Sequence, residues 1–140
     1  MNEAEMHETV KKAAYPEYSV SIDLHSLFEC NFKTSNLIFG TKIYVKKYSE
    51  RLGKDMPLLS IYRSLTQERW LITFGDFNGT TADFEIPSGI EQNFIHEFII
   101  GVDNYYKANQ ATVEAKAELS KLVRNPKEYI RNSKLNNIGI

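Results

Sequence analysis

Polar and apolar residues alternate without a break in YSVSIDL, residues 18–24: Tyr18, Val20, Ile22 and Leu24 fall on one side, Ser19, Ser21 and Asp23 on the other. A period of two predicts a strand over 17–24 with one buried face. Before it, residues 3–14 (EAEMHETVKKAA) place acids first and lysines last, the order a helix dipole favours, and Pro16 ends that helix. Residues 36–52 fit two periods. KIYV is β-branched and suits a strand, yet Leu37, Thr41, Tyr44, Val45, Tyr48 and Leu52 recur at helical spacing. Thr34 or Ser35 can cap the start and Arg51-Leu52-Gly53-Lys54 can stop it, so the spacing predicts a helix.

Three strand-like runs follow: LLSIYRSL, RWLITFGD and TTADFEI. The Asn78-Gly79 pair favours a two-residue turn, but that register sets Phe74 against Asp83 and Ile72 against Glu85. A three-residue loop, Phe77-Asn78-Gly79, sets Ile72 against Phe84 and Phe74 against Ala82. A slip of one residue turns every side chain to the other face, so burial favours the longer loop, with Gly79 in a G1 bulge. The same logic sets Ile61 against Ile72, Leu59 against Phe74 and Arg63 beside Trp70. Ser88-Gly89-Ile90-Glu91 reads as a capping box for a helix whose stripe is Ile90, Phe94, Phe98, Val102 and Tyr105. Residues 109–124 are Ala-rich and helical. Asn125 and Glu128 can open a short helix to about Asn132, and 125–140 is expected to be loose or docked on a partner.

The expected fold is α+β: an antiparallel sheet of a three-stranded meander plus the N-terminal strand, covered on one face by helices, with a helical C-terminus. A chain of 140 residues, 42% hydrophobic and 25% charged, has the size and composition of one globular domain over 1–140. Its single cysteine, Cys30, has no internal partner, which suits a reducing compartment. The polar, acidic start and the lack of any apolar run near 20 residues point to the cytoplasm.

Net charge is −1, but the charges come in blocks: −4 over 1–30, +5 over 31–66, −6 over 67–103 and +4 over 104–140. Blocks of this kind pair within the fold or face a partner. Lys42, Lys46, Lys47 and Arg51, with Tyr44 and Tyr48 between them, form the one basic and aromatic stretch suited to nucleic acid, with Lys42, Lys46 and Lys47 sharing a helix side. The sequence pI near 6.3 weighs against that reading. Asp83 and Glu85 fall on the wet face of the hairpin, with Glu68 and Asp76 near them, and Phe77 stands at its tip. Asp23, His25, Glu29 and Cys30 lie close together but match no metal spacing, and nothing orients a Cys–His pair. No phosphate-binding glycine loop, nucleophile elbow or zinc-protease motif is present, and no motif calls for a cofactor.

These features favour a non-enzymatic protein-binding module that works by occlusion. This element order recurs in several small protein-binding folds, secretion chaperones and toxin-immunity proteins among them, and the roles of inhibitor, immunity protein, phage or plasmid anti-defence factor and chaperone all fit. Phe77, Asp76, Asp83, Glu85 and Glu68 are the expected contacts. A homodimer through the 109–124 helix is expected to accompany them. Nucleic-acid binding through the 42–54 segment is the alternative, and a small enzyme with dispersed site residues is the third.

Overall fold

The structure, a computed structural model, describes residues 1–29, 37–77, 80–107 and 113–137. They divide into two compact units, Met1–Ile86 and Pro87–Ile140. The first holds helix α1 (Glu3–Ala14) and five strands, β1 (Ser19–Glu29), β2 (Leu37–Ser49), β3 (Lys54–Ser64), β4 (Leu71–Phe77) and β5 (Thr80–Glu85). The strands pair antiparallel in the order β1-β2-β3-β4-β5.

A reciprocal cap opens α1. The Asn2 side chain accepts from the Glu5 amide at 2.8 Å, and the Glu5 carboxylate accepts from the Asn2 amide at 3.0 Å. Met6, Val10, Ala13 and Ala14 recur at helical spacing, are all buried, and mark the face that α1 turns inward. The helix packs on β1 and β2.

The helix expected over 36–52 is instead β2. Ile43, Val45 and Thr41 are buried at every second position, the period of a strand. Helical spacing would have buried Tyr48 and Leu52; Tyr48 is 59% exposed and Leu52 is exposed as well. The glycine that looked like a helix stop closes the β2–β3 hairpin: Gly53 has φ +66° and its amide donates to the Ser49 carbonyl at 2.8 Å. Pairing on both sides, which local spacing does not report, decides for the strand.

The meander follows its expected register. Ile61 lies opposite Ile72, Ile72 opposite Phe84 and Phe74 opposite Ala82. With Ile22 opposite Ile43 and Ile43 opposite Ile61, one apolar row crosses all five strands. The hairpin tip differs from expectation. Phe77 pairs with Thr80, and Gly75-Asp76 stand against Thr81 alone, a bulge in β4. Burial sets the register of the hairpin body, the tip takes a shorter connection, and the bulge absorbs the difference. Asn78 and Gly79 themselves lie outside the described residues.

A second bulge lengthens β1 beyond the expected 17–24. Leu24 and His25 both face Thr41, with His25 at φ +51°, and regular pairing resumes at Ser26 opposite Gly40. Leu24, expected inside, is 54% exposed. A third bulge places Leu58 of β3 between the Val45–Leu59 and Lys46–Pro57 pairs. Gly40 has no room for a side chain. A Cβ there would lie 2.1 Å from the Arg63 carbonyl oxygen and 2.9 Å from the Ser64 Cα, both backbone.

The second unit is helical: α2 (Glu91–Lys107), α3 (Val113–Arg124) and α4 (Pro126–Asn137). In α2, Phe94, Phe98, Val102 and Tyr105 are buried as their spacing predicts. The helix starts at Glu91, and the Glu91 carboxylate accepts from the Gly89 amide at 2.9 Å. Helix α3 folds back on α2, with the Leu119 side chain filling the space beside Gly101. Leu119 and Leu122 are both buried. Helix α4 extends past Asn132 and is tied to α2 by Ser133 donating to Glu97 at 3.1 Å.

Candidate interaction surface

The two faces of the sheet in the first unit carry different chemistry. On the face away from the apolar row, Asp23, Lys42, Tyr62, Leu71 and Glu85 stand in register across the five strands. The Lys42 amine sits 5.2 Å from the ring centres of both Phe28 and Tyr44, and the Lys46 amine 5.8 Å from Tyr44. The Tyr62 hydroxyl donates to Asp83 at 2.9 Å. Burial, and then Asp23 beside it, push the Tyr44 phenol above its ordinary range.

Strand geometry regroups the basic residues. Lys42 and Lys46 share a face with Tyr44, while alternation turns Lys47 to the other side and Arg51 lies exposed in the β2–β3 turn. The helix side expected to hold Lys42, Lys46 and Lys47 together does not exist. Asp83 and Glu85 are exposed, as is Glu68 in the β3–β4 connection. Arg69 reaches Glu85 at 3.4 Å, with both side chains more than half exposed, a geometry worth little. The side chains of Asp76 and Phe77 lie outside the described residues, as does Cys30.

The other face shows what sequence reasoning missed. Leu27 lies opposite Phe39, and the Leu65 amide donates to the Phe39 carbonyl at 3.0 Å, so the three side chains form one row across β1, β2 and the end of β3. They are 65%, 47% and 47% exposed. The next row inward explains why they are bare. Arg63 stacks on Trp70 at 4.6 Å and donates to the Met1 carbonyl at 2.8 Å and to Glu3 at 2.5 Å. Trp70 Nε1 donates to the same carbonyl at 3.0 Å. A backbone hydrogen bond and the Arg63 guanidinium hold the Glu3 carboxyl below its usual range. The start of α1 is thus fastened over Arg63 and Trp70, and the Leu27–Phe39–Leu65 row lies one row beyond. A sequence signal existed: adjacent apolar residues such as Leu27-Phe28 must serve both faces of a strand, and it is Phe28, on the face of Lys42 and Tyr62, that is buried.

A hollow of about 290 Å³ opens between α3 and α4, lined by Lys121, Arg124, Asn125, Glu128, Tyr129 and Asn132. Its groups largely satisfy one another and their neighbours. Asn125 donates to Glu128 at 2.7 Å, Lys121 meets Glu118 at 3.4 Å, and Tyr129 donates to Glu118 at 3.0 Å. Burial and that hydrogen bond push the Tyr129 phenol up to about 12.

No protein-family model, curated protein or solved structure matches the chain. No helix among the described residues is long and apolar enough to cross a membrane.

Proposed function

We propose that this chain is a non-enzymatic protein-binding module of the cytoplasm that acts by covering a functional surface of its partner. The supporting observation is the bare row of Leu27, Phe39 and Leu65. Large apolar side chains grouped in the open are costly unless something covers them, and such groups form the centres of protein interfaces. Polar residues border the row, with exposed His25 on one side and Thr66, Gln67 and Glu68 on the other. An apolar centre with a polar rim gives affinity through the former and partner choice through the latter. Inhibitor, immunity, anti-defence and chaperone proteins all act this way. Asp83 and Glu85, with Asp76 and Phe77 of the hairpin tip, are the second candidate contact.

The test is affinity capture from the source lysate, with and without nuclease, using the native chain and Phe39→Glu. One protein retained by the native chain in both lysates and reduced at least tenfold by Phe39→Glu, with an unchanged thermal melt, is expected. Equal capture by Phe39→Glu would move the contact elsewhere, and Phe77→Ala is then the next variant. Loss of the catch with nuclease would overturn the reading in favour of nucleic acid on the Lys42–Tyr44–Lys46 strip, with a steep salt dependence. Asp23, directly opposite Lys42, weighs against that strip as a phosphate site.

A further inference from the structure

We propose that Ser19–Asp23 of β1 pairs antiparallel with the same segment of a second copy of this chain. A two-fold axis through Ser21 would join two five-stranded sheets into one of ten strands. The proposal starts from the two edges of the sheet. Edge strands expose unpaired backbone donors and acceptors, and proteins guard them with short length, charge, proline or bulges. Strand β5 is guarded: it has six residues, and Asp83 and Glu85 are exposed on it. Strand β1 runs for eleven residues, and its first five hold regular register with β2, contain no proline and carry a single charge, Asp23 at their end. The bulge at Leu24-His25 ends that regular stretch, so it limits pairing to this segment.

The segment is self-complementary about Ser21. Antiparallel pairing sets Val20 opposite Ile22 of the second copy, apolar against apolar, and Ser19 opposite Asp23 of the second copy. Because both members of each pair point to one face, the apolar faces of the two sheets fall on the same side. Charge agrees with this register. Lys46 lies directly opposite Ser19 on β2, and among the described residues it has no salt bridge. In the joined sheet, Lys46, Ser19 and Asp23 of the second copy share one row. The short Ser19 side chain leaves the lysine free to reach over it, and symmetry makes this pairing twice. Centring on Ile22 instead places that carboxylate in the row of Tyr44, away from the row of Lys46.

The test uses Ser21→Cys and Ser19→Cys, each with Cys30→Ser, under mild oxidation, together with sedimentation of the native chain and Ser21→Lys. At the axis the two Cβ atoms of residue 21 lie roughly 4.5–5.5 Å apart, within reach of a disulfide after a small shift. The two copies of residue 19 are offset by about 13 Å along the strands. The expected result is a covalent dimer of twice 16.2 kDa from Ser21→Cys alone. The native chain should sediment as a dimer with a melt that rises with concentration, and Ser21→Lys as a folded monomer with a concentration-independent melt, because it sets like charges face to face. A native monomer at millimolar concentration would overturn the proposal. So would a dimer that survives Ser21→Lys, or equal cross-linking at residues 19 and 21.

Discussion

Ile61 and Tyr62 are neighbours in β3, and both are almost wholly buried, yet they hold the sheet by different means. Ile61 belongs to the row Ile22–Ile43–Ile61–Ile72–Phe84, where every side chain is apolar. Tyr62 is 3% exposed on the opposite face, packed edge-on against Phe28 at 5.6 Å, with its hydroxyl on Asp83. Burial therefore does not distinguish the two faces. What differs is direction: the inner row gains from removing area from water, the outer row from contacts that work in one geometry only. The first tolerates a change of shape better than a change of volume, and the second the reverse.

Ile61→Ala should have the largest effect, about 3–4 kcal/mol, because the cavity has strands on both sides and little freedom to collapse. Urea denaturation followed by circular dichroism measures it. Tyr62→Phe keeps the volume and removes one hydroxyl, so about 1 kcal/mol is expected in the same assay. Equal losses from the two variants would erase the contrast between the faces. The smallest effect concerns the fastening of α1. The folded-state pKa of Glu3 is lowered, so its contribution is present above the unfolded value and is lost as pH falls through the folded one. The stability gap between the native chain and Glu3→Gln should therefore shrink as pH drops below about 4. A gap that stays constant with pH would show that the charge of Glu3 contributes nothing.

How far the sequence reveals this depends on whether local pattern and distant pairing agree. In β3, β4 and β5 they do, so Ile61, Ile72 and Phe84 were placed opposite one another from alternation alone. In α2 the Phe94–Phe98–Val102 stripe has no strand-like rival. In β2 the pattern is ambiguous, since Thr41, Tyr44, Val45 and Tyr48 satisfy a period near 3.6 while Thr41, Ile43 and Val45 satisfy a period of two. Only the pairing of β2 with β1 and β3 chooses between them, and it is non-local. The bulge at Leu24-His25 hides the second half of β1 in the same way. The Leu27–Phe39–Leu65 row was not legible, because its exposure depends on where α1 is fastened. That is set by Arg63 and Trp70, roughly sixty residues further along.

The bulge in β4 also decides where this chain can change its length. Remove either Gly75 or Asp76, and the Phe74–Ala82 and Phe77–Thr80 pairs fall into one continuous ladder closed by Asn78-Gly79. Remove a residue between Leu71 and Phe74 instead, and Ile72 or Phe74 swings out of the apolar row to the opposite face of the sheet. A single-residue deletion is harmless at one point of this hairpin and ruinous three positions away. Length variants among related chains should therefore collect at positions 75 and 76.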